Sequence, residues 1–300
     1  MNITIIGAGS IGLLFAAKLT ELGHDIHIIS RHQIQSDELS SHGITLYNGI
    51  KTNILKVSSS HLLEHGKDRD CYIVTVKQYQ LEALIPFLSS LPASVPIIFT
   101  QNGMSHLKIT ETLPQHHIFV STVEHGAERI SDREVRHNGI GNWRIAAVKG
   151  QTDVLSSLIS SKDHTFPIEF YLDYYPLLAD KVIKNIVINS LTALFDVKNG
   201  ELINNPHLHK LLYSLYQEMM SVFSDLTDPP SFAEIESLCS RTAENSSSMR
   251  TDLRLNRPTE VDAIIGFGLQ KGRTEGCSLP VTAFIYESIL AIEYRKGIRH

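Results

Sequence analysis

The sequence predicts an α/β protein whose N-terminal part is a doubly wound parallel sheet and whose C-terminal part is all helical. Two observations predict this division. Apolar segments with strand character alternate with helical segments through the first half, whereas apolar residues recur at helical spacing almost everywhere after about Tyr174. In addition, the first strand, Ile3 to Ile6, runs directly into a glycine-rich turn and a helical segment. We therefore expect one domain over residues 1–172 and a second over residues 173–300.

The glycine-rich turn is the most informative motif in the chain. It consists of Gly7-Ala8-Gly9-Ser10-Ile11-Gly12. In a dinucleotide site the first glycine permits the tight turn, the second lets the backbone approach the pyrophosphate, and the third lets the helix lie close to the strand. The phosphates then meet the free N–H groups of the helix N-terminus. The alternative is an ordinary strand-to-helix turn, but the position of the motif favours a Rossmann-type domain in which these six residues bind a cofactor.

The end of the second strand indicates which cofactor binds. This strand, Asp25 to Ile29, is followed by Ser30 and Arg31, where an NAD site usually places an acid that holds the ribose hydroxyls. Arg31 can form paired hydrogen bonds with a 2′-phosphate, which an acid would repel. The alternative is a solvated arginine before the next helix. We therefore predict NADP(H) rather than NAD(H).

Polar residues follow two further core strands. The strand Cys71 to Val76 ends at Lys77, and the strand Pro96 to Thr100 is followed by Gln101 and Asn102. Open α/β sheets bind ligands outside the carboxyl ends of their strands. We expect Lys77 and Asn102 to contact the cofactor, although the polarity common at strand ends would also explain them.

The remaining segments complete the predicted elements. Asn48-Gly49 indicates a hairpin between Ile44–Tyr47 and Ile54–Val57. Turn signals within Glu134–Val148 predict an antiparallel edge to the sheet. A helix over Gln151–Ser161 and a strand over Ile168–Tyr171 follow. The pattern then predicts five helices, Pro176–Phe195, His207–Leu226, Ser231–Glu244, Thr259–Lys271 and Pro280–Lys296.

The first of these five helices carries a polar stripe. Lys181, Asn185 and Asn189 are four residues apart, so they lie along one side of a helix that is otherwise strongly apolar. Buried polar groups need partners, and a bound polar ligand would supply them. The alternative is that Lys181 reaches water and that both asparagines bond to neighbouring helices.

Composition restricts the class of partner. The 300 residues are 42% apolar and 20% charged, with a net charge of −5 and no basic run, so we expect small-molecule partners rather than nucleic acid or a membrane surface. The three cysteines are far apart, which predicts reduced packing residues and no metal site. Because no export signal or long apolar stretch is evident, we expect a cytoplasmic protein.

Taken together, these segments resemble the 2-dehydropantoate 2-reductase family, also called ketopantoate reductases, over nearly the whole chain. Several motifs match in order and spacing. They are the glycine-rich turn, Val76-Lys77-Gln78, Gln101-Asn102-Gly103, His125-Gly126-Ala127, the segment 181–193, Asn199-Gly200-Glu201-Leu202, Glu244-Asn245-Ser246-Ser247-Ser248-Met249 and Thr259-Glu260-Val261-Asp262. Two positions depart from the family pattern, Ser105 at a frequent glycine and Ser190 at a frequent proline, and neither removes a proposed catalytic group.

The resemblance implies NADPH-dependent reduction of the ketone of 2-dehydropantoate to D-pantoate, on the route to pantothenate and coenzyme A. It implies that Lys181 is the general acid and that Glu260 holds Lys181 in place near the cofactor ribose. The implied substrate-binding residues are Lys181, Asn185, Asn189, Asn199, Asn245 and Ser248. The implied cofactor-binding residues, beside the glycine-rich turn and Arg31, are Lys77, Asn102, Ala127 and Glu260.

Two other functions stay open at this point. One is an NADP-dependent reductase of another small 2-oxo acid, and the other is a non-catalytic NADP-binding sensor. The presence of both Lys181 and Glu260 favours an enzyme over a sensor. The faces of the helical bundle leave room for a homodimer, and the role of His125 stays open between packing and ligand contact.

Overall fold

A computed structural model describes residues 1–64, 69–159 and 164–299. The chain divides into two compact units. The first contains Met1–Gln101 and His106–Leu177, and the second contains Asn102–Ser105 and Leu178–His300. The short segment after Gln101 therefore belongs to the second unit, although the sequence before and after it belongs to the first.

The first unit is built on two sheets. Its strands are β1 (Asn2–Ile6), β2 (Asp25–Ile29), β3 (Ile44–Asn48), β4 (Lys51–Leu55), β5 (Ser58–Ser60), β6 (Cys71–Val74), β7 (Ile97–Phe99), β8 (Ile118–Val123), β9 (Gly126–Arg129), β10 (Glu134–Gly139), β11 (Trp143–Lys149) and β12 (Ile168–Tyr171). Its helices are α1 (Ser10–Glu21), α2 (Gln33–His42), α3 (Ile85–Ser90) and α4 (Leu107–Thr112).

The larger sheet has eight strands in the order β12-β11-β8-β7-β6-β1-β2-β5. Six neighbouring strands of this sheet are mutually parallel, namely β8, β7, β6, β1, β2 and β5. Strand β11 runs antiparallel to β8. Strand β1 lies between β2 and β6, so the chain builds the sheet first to one side of β1 and then to the other. Such a switch point is where open α/β sheets bind ligands, and the glycine-rich turn follows β1. The predicted doubly wound sheet is therefore confirmed.

The predicted antiparallel edge, Glu134–Val148, contains two strands that belong to different sheets. Strand β11 joins the large sheet, but β12 pairs parallel to it and forms the edge. Strand β10 belongs to the smaller sheet of order β4-β3-β10-β9. The predicted hairpin is also part of this smaller sheet, with Gly49 at a φ of +60° in its turn, but its second strand is Lys51–Leu55 rather than the predicted Ile54–Val57.

Helix α1 is buried on all sides, whereas the helical spacing of its residues predicts one apolar face, made of Ile11, Leu14, Phe15, Lys18, Leu19 and Leu22. Every residue from Gly12 to Leu19 is buried, because the helix contacts strands of both sheets. Lys18 is among them, and its ammonium donates to Glu21 at 2.9 Å and to the Thr165 hydroxyl at 3.0 Å. The smaller sheet therefore covers the side of α1 that the sequence pattern leaves to solvent.

Short 3₁₀ turns occupy two parts of the first unit. The segment Thr152–Ile159 is a series of 3₁₀ turns, whereas the sequence predicts a helix over Gln151–Ser161. Residues 160 and 161 lie outside the described residues. A second pair of 3₁₀ turns, Gln78–Gln80 and Glu82–Leu84, follows β6, which ends at Val74 rather than at the predicted Val76.

The second unit is helical. Its helices are α5 (Tyr174–Lys184, which begins in the first unit), α6 (Ser190–Phe195), α7 (Glu201–Asn204), α8 (Pro206–Val222), α9 (Phe232–Arg241), α10 (Ser248–Arg254), α11 (Phe267–Thr274) and α12 (Pro280–Arg295). Two π-helical turns, Asn185–Asn189 and Asp262–Gly266, join α5 to α6 and lead into α11. The predicted α/β architecture with a helical second part is confirmed, whereas α7, α10 and both π turns are not predicted.

No helix among the described residues is long and apolar enough to cross a membrane. Cys71 and Cys239 are buried. Burial raises the pKa of the Cys71 thiol, and burial together with the nearby Glu236 carboxylate raises the pKa of Cys239 to about 11. Both thiols are therefore protonated at neutral pH, in keeping with the predicted role in packing.

His106 is fully buried at the start of α4, stacked on Phe99 with 6.3 Å between ring centroids. Neither ring nitrogen has a hydrogen-bond partner among the described residues. Burial lowers the pKa of His106 to about 4. The folded protein therefore holds this imidazole neutral at a pH where the unfolded chain, with a pKa of about 6.5, takes up a proton.

We expect the free energy of unfolding to fall as the pH drops from about 6.5 towards 4, by about 1.4 kcal/mol per pH unit from this residue alone. In His106→Leu that contribution is lost, so the variant should lose less stability than the wild type between pH 7.5 and pH 5. Urea denaturation at both pH values measures the difference. His61→Leu removes an exposed imidazole as the control, and an unchanged pH dependence in His106→Leu would contradict the assignment.

Candidate functional site

The loop after β1 has the geometry that its glycines predict. Gly7 has a φ of +113°, a left-handed conformation that favours glycine, and its N–H donates to the Ile29 carbonyl at 2.9 Å. A Cβ at Gly12 would overlap the Gly7 carbonyl oxygen. Helix α1 therefore begins in direct contact with the loop, and only a residue without a side chain fits at position 12.

Gly9 has a different role, because its conformation suits any residue. Its φ is −81°, and a Cβ placed on it would meet no heavy atom within 4 Å. Gly9 is the N-cap of α1, and no side chain of the described residues accepts a hydrogen bond from the first N–H groups of this helix. The loop thus leaves open space beside a helix N-terminus with free donors, which is an arrangement that binds phosphate.

The other cofactor residues predicted in the first unit follow strand ends or lie in the smaller sheet. Arg31 follows β2 and is exposed. Lys77 is half-buried after β6, and its backbone N–H donates to the side-chain oxygen of Gln80 at 3.1 Å. Ala127 is half-buried in β9. Arg31 and Lys77 therefore follow strands of the large sheet, as the sequence predicts, although β6 ends earlier than predicted. The sequence pattern does not place Ala127 in a second sheet.

Asn102 and Glu260 are brought together in the second unit. The Asn102 amide nitrogen donates to a Glu260 carboxylate oxygen at 2.8 Å, although the two residues are 158 positions apart. Glu260 is only 7% exposed. The next residue, Gly103, has a φ of +81°, and a Cβ there would overlap the Ala263 carbonyl oxygen. Gly103 therefore lets the Asn102 segment approach the residues that follow Glu260.

The polar stripe on the first long helix coincides with a π turn. Lys181 is half-buried on α5, and the π turn Asn185–Asn189 begins four residues later. Within the turn the Asn189 amide nitrogen donates to Asn185 Oδ1 at 3.2 Å, so the predicted adjacency of the two asparagines is confirmed. Ser190, at the position of the frequent proline, donates its hydroxyl to the Ile186 carbonyl. Single π turns often mark functional sites in helices.

The remaining predicted substrate residues form a second group in this unit. The Asn199 N–H donates to the Asn245 carbonyl at 3.2 Å, and its amide nitrogen donates to the Thr242 hydroxyl at 2.9 Å. Its amide oxygen is buried and has no hydrogen-bond partner among the described residues. Ser248 is exposed as the first residue of α10. The buried Asn199 oxygen can therefore accept a hydrogen bond from a hydroxyl group that a ligand brings.

Two residues that sequence reasoning missed connect these groups. The Thr192 hydroxyl lies 3.1 Å from the Asn189 carbonyl oxygen and 2.8 Å from the Ser247 hydroxyl. Ser247, rather than Ser248, caps α10 by accepting the Arg250 N–H at 3.1 Å. Both residues lie inside family motifs, in the segment 181–193 and in Glu244–Met249. The spacing within each motif does not predict a contact between residues 55 positions apart.

A buried carboxylate supports the residue before Glu260. Glu293 on α12 is fully buried and accepts the Thr259 N–H at 2.8 Å and the Thr259 hydroxyl at 2.7 Å. Arg299 donates to the same carboxylate at 2.9 Å and to Asp262 at 2.8 Å. The sequence predicts that a helix begins at Thr259, but its backbone N–H is bound by this carboxylate and the π turn begins at Asp262.

Comparisons with known proteins agree with this architecture. A family model described as ketopantoate reductase PanE/ApbA matches residues 3–150, and one described as its C-terminal part matches residues 174–293. A 2-dehydropantoate 2-reductase of Bacillus subtilis (strain 168) is 37% identical over 295 residues, covering 98% of both chains. One from Listeria innocua is 34% identical and covers 100% of this chain and 98% of that one.

A crystal structure described as a probable 2-dehydropantoate 2-reductase from Bacillus subtilis matches with a TM-score of 0.88 at 36% identity, covering 97% of this chain and 100% of the other. The fold and the glycine-rich loop define a two-unit α/β protein of the dinucleotide-binding class. The family matches are more specific, since together they cover most of the chain. The chain belongs to the ketopantoate reductase family and is an oxidoreductase.

Gly9 and Gly12 predict two different consequences of adding a methyl group. Gly9→Ala should leave the stability of the ligand-free protein nearly unchanged, because the new Cβ meets open space. It should raise the Kd of the dinucleotide tenfold or more, because the methyl group occupies the space beside the helix N-terminus. Gly12→Ala should lower the melting temperature, because its Cβ overlaps the loop. Thermal unfolding measures the melting temperatures, and fluorescence titration measures the Kd values. Wild-type affinity in Gly9→Ala would contradict a phosphate site beside Gly9.

Proposed function

We propose that this protein reduces the ketone of 2-dehydropantoate to the hydroxyl of D-pantoate with NADPH, a reaction on the route to pantothenate and coenzyme A. The observation that carries the proposal is the similarity to 2-dehydropantoate 2-reductases over nearly the full length of the chain. We assign cofactor binding to residues 1–172 and substrate binding and catalysis to residues 173–300.

The first unit fits a dinucleotide. Open space beside Gly9 and uncapped N–H groups at the start of α1 suit the pyrophosphate. Arg31 is exposed two residues after the end of β2, where it would form charge-assisted hydrogen bonds with a 2′-phosphate. We therefore propose NADPH as the reductant. When bound, its nicotinamide supplies the hydride.

The proposed proton donor is Lys181. Its ammonium would give a proton to the ketone oxygen as that oxygen becomes negative, so that hydride and proton together convert the ketone to a hydroxyl. Glu260 would hold the Lys181 ammonium in position. Asn102 donates to one oxygen of Glu260, which restricts the orientation of this carboxylate. The amide of Asn102 would thereby act on the catalytic pair as well as on the cofactor.

The proposed substrate contacts use the amides of the second unit. Asn199 supports the assignment most directly, because its buried amide oxygen lacks a partner among the described residues and 2-dehydropantoate carries a hydroxyl that could donate to it. Asn185 and Asn189 present paired amides for the hydroxyl and carboxylate groups. Ser248 would bind the carboxylate, and Asn245 would assist from the neighbouring loop. The oxygen and nitrogen atoms of these residues thus match a small polar acid.

Lys181→Ala should lower kcat for 2-dehydropantoate by about 10²- to 10⁴-fold, which is the usual contribution of a general acid. The matched control is Lys184→Ala on the same helix, since Lys184 pairs with Asp180 at 2.7 Å and should affect kcat little. The assay follows the loss of NADPH absorbance. 2-Oxoisovalerate, which lacks the hydroxymethyl group, serves as the competing substrate.

Two outcomes would overturn the substrate assignment. If wild-type protein binds NADPH but reduces neither keto acid, a cofactor-binding sensor becomes the better description. If 2-oxoisovalerate has the higher kcat/KM, the protein is a reductase of another 2-oxo acid. If Lys181→Ala and Lys184→Ala lower kcat equally, the assigned reaction stands, but Lys181 is not the general acid.

Arg31→Ala tests the choice of cofactor. Loss of hydrogen bonds to a charged phosphate, worth about 1.5–3 kcal/mol, should raise the Kd of NADPH by about 10- to 100-fold. The Kd of NADH, which has no 2′-phosphate, should change little. Arg136→Ala removes another exposed arginine of the first unit as the control. An equal loss of affinity for NADPH and NADH would show that Arg31 does not bind the 2′-phosphate.

A further inference from the structure

The Ala8 carbonyl, in the middle of the glycine-rich loop, receives hydrogen bonds from two side chains elsewhere in the first unit. The Gln35 amide nitrogen donates to it at 3.0 Å, and the Arg129 guanidinium donates at 3.4 Å. Gln35 is only 4% exposed, and its amide nitrogen also donates to the Asp132 carbonyl at 2.8 Å. One buried amide therefore joins the loop after β1 to the turn between β9 and β10.

The position of the Ala8 oxygen fixes the direction of a neighbouring donor. Among the described residues no peptide bond is cis. In a trans peptide the carbonyl of one residue and the N–H of the next point in opposite directions. A carbonyl of Ala8 held towards Gln35 therefore turns the N–H of Gly9 away from Gln35. Gly9 is exposed, and a Cβ placed on it would meet no heavy atom within 4 Å, so the space around this residue is open to a phosphate.

Gln35 is well placed to connect separate parts of the cofactor region. It lies in the first turn of α2, four residues after Arg31. Arg129, the second donor to Ala8, lies two residues after Ala127 in β9 and is itself held by the Ser131 carbonyl and the Asp132 carboxylate. The loop, the start of α2 and the smaller sheet thus meet at a single carbonyl oxygen.

We propose that Gln35 is a positioning residue for the cofactor, which holds the Ala8 carbonyl and thereby aims the Gly9 N–H at the pyrophosphate. This inference rests on the proposed function. NADPH and NADH share the pyrophosphate, so loss of Gln35 weakens both by the same factor. Arg31 differs in this respect, because it contacts the one phosphate that only NADPH carries.

The test compares Gln35→Met with Gln115→Met. Gln115 is a matched control, since it is 2% exposed in the same unit and its amide nitrogen also donates to two backbone carbonyls, those of Leu88 at 2.9 Å and Leu91 at 3.1 Å. Each variant keeps the approximate volume and loses the same type of donor. Any loss of folding stability that comes simply from removing a buried amide therefore appears in both variants.

We expect Gln35→Met to raise the Kd of NADPH and of NADH tenfold or more by a common factor, with kcat at saturating NADPH within twofold of the wild type. Gln115→Met should leave both Kd values within twofold of the wild type, even if its melting temperature falls as much as that of Gln35→Met. Fluorescence of the reduced nicotinamide on binding gives the Kd values, and steady-state kinetics separate KM from kcat.

Gln35→Leu is the second variant, to be used if Gln35→Met does not fold. Its smaller apolar side chain cannot donate to Ala8 in any protonation state, so the same loss of affinity is expected. A folded Gln35 variant with the cofactor affinity of Gln115→Met would overturn the inference and leave the proposed function standing. Wild-type protein that binds neither dinucleotide would overturn both.

Discussion

The contact between the start of α1 and the loop after β1 is the constraint on which the first unit depends. Because a side chain at Gly12 would overlap the Gly7 carbonyl, strand, loop and helix can share one compact turn only with glycine at both positions. The helix is then held between two sheets and buried along Gly12–Leu19. Close packing fixes the loop firmly, so its free N–H groups have a defined direction before any ligand arrives.

In the second unit, polar side chains lie on strongly apolar helices and need hydrogen-bond partners. Asparagine amides and threonine hydroxyls there bond mainly to one another and to nearby carbonyls, as Asn189 does with Asn185. The two π turns carry or directly follow the residues proposed for chemistry. Such a turn inserts a residue into the helix and changes which side chains share a face. Catalytic and substrate-binding groups can thereby be brought together without a break in the surrounding core.

Local patterns in the sequence were sufficient for the strand-loop-helix start, for strands β1, β2, β6 and β7 and for the long helices, because each of these depends on neighbours a few residues apart. The second sheet was not predictable in this way, since β3 pairs with β10 from about 90 positions away. The same holds for the Asn102 and Glu260 contact and for Gln35, whose sequence neighbourhood resembles an ordinary polar helix start. The π turns were missed because a four-residue spacing also suits an α-helix.

The support of Thr259 by Glu293 has a consequence for the end of the described chain. Glu293 is fully buried, and its cationic partner, Arg299, lies beyond the last turn of α12. A truncation between these positions removes the cation and leaves a carboxylate within the unit, where an uncompensated charge is costly. Residues 296–299 therefore count as part of the folded second unit, and an affinity tag is better separated from Arg299 by a flexible spacer than substituted for the residues around it.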